Sequence, residues 1–120
     1  MRATVIQKRG VTIVSFEGQL DFSHPEQIRN QLKWIYSKKQ NKRIMLNLSA
    51  LQFIGSSGIK PFIEMLKDFN KPNSAPRYYG LAPEFKRLFD TYQGRKKFKI
   101  FPDQKEALKS YRFYKKSGHA

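Results

Sequence analysis

Leu46-Asn47-Leu48-Ser49-Ala50-Leu51-Gln52-Phe53-Ile54-Gly55-Ser56-Ser57-Gly58 is the stretch that decides the fold. Its first part, with Arg43 to Leu48 dense in Ile44, Met45, Leu46 and Leu48, reads as a strand buried on both faces. Its last part reads as a tight loop that holds two adjacent serines at the start of a helix. The N-terminal end of a helix carries partial positive charge and unpaired N–H groups, so an added phosphate is tolerated there. One serine accounts for an N-cap, which contributes roughly 1 kcal/mol. The second is a spare hydroxyl in a loop kept open by Gly55 and Gly58.

Downstream, Ile59, Phe62, Ile63, Leu66 and Phe69 form an apolar stripe at helical spacing. Pro61 falls in the first turn of that helix, and Asn70 and Pro72 end it. Asn73 to Pro76 is a turn, and Arg77 to Gly80 a short strand. Pro83 and Glu84 open a helix with Phe85, Leu88, Phe89 and Tyr92 on one face, stopped by Gln93-Gly94. Phe98 to Phe101 predicts a last strand. Asp103-x-x-Glu106 is a capping pattern for a final helix through Ala107, Leu108 and Tyr111.

Upstream, Ala3–Gln7 and Val11–Phe16 are strand-like runs around a Lys8-Arg9-Gly10 turn, which predicts a hairpin. Glu17-Gly18-Gln19-Leu20-Asp21 is expected to leave the sheet. Ser23-x-x-Glu26 is a capping box with Pro25 in the first turn, and Ile28, Leu32 and Ile35 continue as a helix to about Lys38. Lys38 to Lys42 is a loop. The order β-β-α-β-α-β-α-β-α predicts an α/β fold: one domain with a mixed, mostly parallel sheet of four to five strands covered by about four helices. The domain is expected over residues 1–114, with 115–120 as a frayed basic tail.

Composition narrows the function. The 120 residues contain no cysteine, which removes disulfides and thiolate chemistry, and His24 and His119 are the only histidines. No apolar run approaches the roughly 20 residues of a membrane span, and no signal-peptide core opens the chain, so a cytoplasmic location is expected. Lysine and arginine number 24 against nine acids, for a formal charge of +15. That excess either forms a solvated surface or attracts nucleic acid, anionic membrane or an acidic protein.

Enzyme chemistry finds no footing. A nucleophile elbow needs glycine two residues before and two after the serine. Ser56 has Ile54 and Gly58 there, and Ser57 has Gly55 and Ile59. No Walker loop or dinucleotide fingerprint occurs. No metal cluster or nucleophile–base pair can be placed, and nothing calls for a cofactor. Asp21 reads as a capping residue or as part of a surface patch at the strand C-terminal edge that Ser56 shares, where α/β sheets bind ligands and partners.

Three segments together resemble the STAS domain family, the fold of bacterial anti-sigma-factor antagonists. Glu17-Gly18-Gln19-Leu20-Asp21 is similar to the family's E-G-x-L-D. Leu46-Asn47-Leu48 through Phe53-Ile54-Gly55-Ser56-Ser57-Gly58 resembles its L-(N/D)-L…F-(I/M)-D-S-S-G. Ala82-Pro83-Glu84-Phe85-Lys86-Arg87-Leu88-Phe89 resembles its S-P-x-(V/L)-x-R-(L/V)-(F/L). The resemblance implies a partner-switching regulator rather than an enzyme. Its partner would be an anti-sigma factor with serine/threonine kinase activity. Ser56 would be the phospho-acceptor, and Asp21, Gly55, Ser56, Ser57 and Gly58 would form the docking surface. A phosphatase would reset the switch. Gly55 departs from the pattern, standing where the family usually has aspartate. Two alternatives stand beside this reading. One is a STAS binding or scaffold module without phosphorylation, with nucleotide binding as one form of it. The other is a basic protein that docks on nucleic acid or a membrane surface.

Overall fold

In the computed structural model, residues 1–21, 24–38, 43–54, 59–95 and 97–117 are described, with side chains as far as Tyr111. The elements are β1 (Arg2–Lys8), β2 (Val11–Asp21), α1 (Glu26–Lys38), β3 (Ile44–Ile54), α2 (Ile59–Lys67), β4 (Arg77–Tyr79), α3 (Pro83–Tyr92), β5 (Lys99–Phe101) and α4 (Gln104–Ser117). The strands form one sheet in sequence order, β1-β2-β3-β4-β5. β1 and β2 are antiparallel, and the three remaining pairs are parallel. The hairpin between them turns through Arg9 and Gly10, both at positive φ (53° and 78°), the geometry of a tight primed turn.

Sequential parallel strands joined by crossovers of one hand place their helices on one face. Ile28, Leu32 and Ile35 of α1, Phe62, Ile63, Met65 and Leu66 of α2 and Phe89 of α3 accordingly share one core with Val14, Phe16, Leu46, Leu48 and Tyr78 of the sheet. α4 lies across the other face, where Ala107, Leu108 and Tyr111 cover Val11, Ile13, Met45 and Tyr79. β3 is therefore apolar on both sides near its start, as its composition requires. α4 is capped as its sequence predicts, the Glu106 N–H donating to Asp103 Oδ1 at 2.8 Å. The α2 helix ends at Lys67 and tightens into i→i−3 turns through Asn70. Ser23 of the first capping box and residues 39–42 lie outside the described residues.

One expectation is corrected. Glu17–Asp21 does not leave the sheet: β2 continues to Asp21, with Gly18 paired to Leu51 and Asp21 to Ile54. Gly18 has φ +103°, so it marks a kink inside the strand rather than an exit. β3 likewise runs past Leu48 to Ile54. Its register shifts where Leu48 and Ser49 together oppose Phe16, a β-bulge. Asn47 staples it: Oδ1 accepts from Ser49 N at 3.1 Å and Ser49 Oγ at 2.7 Å, while Nδ2 donates to Ser15 Oγ at 3.2 Å.

Tyr78 sits at the centre of the larger core, edge-on to Phe89 and Phe98. Its hydroxyl is buried and has no hydrogen-bond partner among the described residues, and burial pushes its phenol well above the ordinary value. An unpaired buried hydroxyl costs about 1–3 kcal/mol. Tyr78→Phe should therefore raise unfolding free energy by about 1 kcal/mol in urea titration at unchanged slope. A loss of stability would show that the hydroxyl is bonded after all.

Candidate functional site

The last residues of β2 and β3 are register partners, Asp21 beside Ile54. The two strands thus end side by side, and the chain leaves them at one edge of the sheet. From Asp21 it turns at once, the His24 N–H donating to the Asp21 carbonyl at 2.9 Å, into α1. From Ile54 it continues through residues 55–58 to α2, which begins at Ile59. Gly55, Ser56, Ser57 and Gly58 lie outside the described residues, so their side chains have no described position. What is described is their frame: Ile54 before them, Ile59 after them and Asp21 alongside.

That frame is braced by aromatic packing. The Phe53 ring stands 5.7 Å from Phe62 in an edge-on pair and 4.5 Å from Phe85. Residue 53 therefore ties the end of β3 to α2 and to the first turn of α3 together. Pro83 opens α3 after Ala82, whose carbonyl accepts from the Phe85 N–H at 3.0 Å. Alternation along a strand then dictates that Ile54 points away from the core that Phe53 enters. Ile54 is 41% exposed, a large apolar side chain presented at the strand end.

Charge at this edge is of both signs, with Lys60 in the first turn of α2 beside several acids. Asp21 ends β2, Glu26 begins α1 and Glu84 lies in the first turn of α3. His24 Nδ1 lies 3.4 Å from Glu26 Oε1, with both side chains largely exposed. Carboxylates in a first helical turn are stabilised by the helix dipole, so these acids also hold the edge together. Among the described residues, no group of three histidine, cysteine or acidic side chains could hold a metal ion. None of their helices is long and apolar enough to cross a membrane. The arrangement is an exposed apolar residue at a strand end, with Asp21 alongside and the serine-bearing segment next in the chain, which is chemistry for docking.

The STAS domain family model matches residues 2–107. The chain belongs to the STAS domain family. An anti-sigma F factor antagonist of Paenibacillus polymyxa is 30% identical over 100 residues, covering 83% of this chain and 86% of that relative. Among solved structures, an anti-sigma factor antagonist from Mycobacterium paratuberculosis superposes with a TM-score of 0.68 at 20% identity, over 92% of this chain and 93% of that one. SpoIIAA in its unphosphorylated form superposes with a TM-score of 0.60 at 18% identity, over 92% of this chain and 98% of that one. Its phosphorylated Bacillus form gives 0.59 at 18% identity, over 92% and 99%. The structural likenesses establish the shared α/β fold, and the curated relative ties this STAS domain to the antagonist branch.

Sequence reading quoted Phe53 and Ile54 as motif positions and gave neither a role. The signal was present, since two adjacent large apolar residues at the end of a strand cannot both face the core. It quoted Asn47 likewise only as a motif position, whereas its side chain bonds Ser49 and Ser15 across the bulge.

Proposed function

We propose that this STAS domain is an anti-sigma-factor antagonist that docks its partner on the strand-exit edge of β2 and β3. The observation that carries the reading is the register of Asp21 with Ile54, which puts the ends of two family motifs at one edge. The partner is an anti-sigma factor with serine/threonine kinase activity. It transfers the γ-phosphoryl group of ATP to the Ser56 hydroxyl, releasing ADP. Phosphorylated Ser56 then carries about −1.5 to −2 charges. That charge arrives at an edge already bearing Asp21, Glu26 and Glu84, and like charges beside an apolar contact weaken docking. A phosphatase restores the serine. The role is regulatory and non-catalytic, and belongs in the cytoplasm. Gly55, Ser57 and Gly58 complete the docking surface, Gly55 in place of the family's usual aspartate.

The test is intact mass after incubation with the kinase-type anti-sigma factor of the same genome and ATP. The expected product is singly phosphorylated wild type, with no addition to Ser56→Ala and normal addition to Ser57→Ala. Binding without any phosphate transfer would favour the scaffold reading, in which Gly55 removes the carboxylate that the kinase engages.

A further inference from the structure

The +15 charge of the chain is unevenly placed, and topology sets its distribution. β2, β3, β4 and β5 run parallel, so their first residues share the sheet edge opposite the docking edge. Arg9 stands in the turn before β2, Arg43 precedes β3, Arg77 begins β4 and Lys99 begins β5. Pairing of Thr12 with Ile44, Met45 with Arg77 and Arg77 with Lys99 locks them into a row, at about 5 Å per strand. The Thr12 N–H donates to the Arg43 carbonyl at 2.9 Å, fixing that corner. Lys97 and Lys71 flank the row, joined through Asn70, whose side-chain amide donates to the Lys97 carbonyl at 3.2 Å.

The row is built rather than loose. The Arg77 guanidinium lies 3.9 Å from the centre of the Tyr111 ring, and its Nε donates to Ser110 Oγ at 3.0 Å. The Arg43 guanidinium lies 5.9 Å from the same ring. Lys99 is held below its ordinary pKa, first by partial burial and then by the neighbouring Arg77. Of the acids, Asp21 ends β2, and Glu26 and Glu84 lie in the first turns of α1 and α3. Asp103 and Glu106 flank Gln104, whose Oε1 accepts from Lys8 Nζ at 2.8 Å next to Arg9. Asp68 follows α2, and Asp90 is held by Lys86 at 3.2 Å. Cations aligned in this way, side by side along one edge, fit a polymer that carries a regular line of negative charge. Duplex DNA carries one charge per about 1.7 Å of axis. A bilayer fits less well, because stable anchoring adds an apolar signal to a basic patch. Among the described residues the exposed large apolar side chains are Met1, Val5, Ile6, Trp34 and Ile54, and none of these belongs to the row.

We propose that the strand-entry edge carrying Arg9, Arg43, Arg77 and Lys99 docks on the phosphodiester backbone of nucleic acid without sequence preference. The inference does not rest on the partner-switching reading, and the two edges can be occupied together. The test is fluorescence anisotropy of a labelled 20-base-pair duplex of arbitrary sequence with the full chain. Neutralising about four phosphates should weaken binding by roughly 100-fold between about 50 and 200 mM salt. Arg9→Gln, Lys97→Gln and Lys99→Gln together should weaken low-salt binding at least tenfold and flatten the salt slope by about 2–3. Lys60→Gln, Arg87→Gln and Lys105→Gln together, an equal charge change away from this edge, should leave binding within about twofold. Should the first triple lose stability, Lys97→Gln alone, at an exposed position, should flatten the slope by about one. Absence of wild-type binding at low salt overturns the proposal. So do equal losses in the two triples, or tighter binding to phosphatidylserine vesicles than to the duplex at the same salt.

Discussion

Gly80→Ala is expected to destabilise this domain by about 3–4 kcal/mol, the largest stability loss among the substitutions considered. Gly80 follows β4 at φ +83°, and a Cβ built there meets the backbone nitrogen and Cβ of Ser49 at 2.8 Å. Ser49 cannot give way cheaply, because Asn47 holds it through both its N–H and its hydroxyl inside the β3 bulge. Two terms therefore add: about 1–2 kcal/mol for a left-handed conformation with a Cβ, and about 1–3 kcal/mol for overpacking. Gly94→Ala separates them. Gly94 has φ +68°, but the nearest neighbour of its Cβ is the flexible end of Lys67 at 3.6 Å. It should lose only the conformational term. Urea unfolding of both variants checks this, and equal losses would mean that the approach of Gly80 to Ser49 does not constrain the fold.

Ile54→Asp is expected to weaken anti-sigma-factor binding by about 30-fold or more while leaving the unfolding midpoint near wild type. The side chain is 41% exposed at the end of β3, so replacing it removes little core. Interface energy concentrates in a few central apolar residues, and truncating such an anchor costs about 2 kcal/mol or more. A carboxylate there adds a further penalty, since docking would strip water from a charge with no partner in place for it. Phe53→Ala provides the contrast. It also strikes the edge, but through the brace with Phe62 and Phe85, so it should lower stability and binding together.

Most of the fold was legible in the sequence where one periodicity persisted. The stripes of α1 and α2, the aromatic face of α3 and the Asp103 cap of α4 are local signals, and tertiary packing agreed with them. The ends of β2 and β3 were not legible, and the bulge explains why. Leu46 and Leu48 enter the larger core, and so do Leu51 and Phe53, so the inward-facing parity switches from even to odd. A strict period of two breaks at Ser49-Ala50, so read by periodicity the strand stops at Leu48. Gly18 misleads in the same way, since a positive φ signals a turn unless a neighbouring strand holds the chain in register. Nor does an amphipathic helix declare which face of a sheet it covers. That α4 lies on the face opposite α1, α2 and α3 is shown only by its packing on Val11, Ile13, Met45 and Tyr79.

The docking edge was partly legible. Asp21 and the serine segment were expected at one edge because both follow strands, and the pairing of Asp21 with Ile54 gives that expectation a register. Ile54 itself was hidden among apolar neighbours. The polarity of charge needed the topology as well: Arg9, Arg43, Arg77 and Lys99 are scattered over ninety residues and become a row only when four parallel strands start together.

Titration calorimetry of the unphosphorylated chain against the kinase-type anti-sigma factor of the same genome tests the central claim most directly. The account expects saturable one-site binding by wild type, lost or weakened at least about 30-fold in Ile54→Asp and unchanged in Lys97→Gln at the opposite edge. No heat with wild type, or wild-type affinity in Ile54→Asp, would contradict docking on the edge where β2 and β3 end.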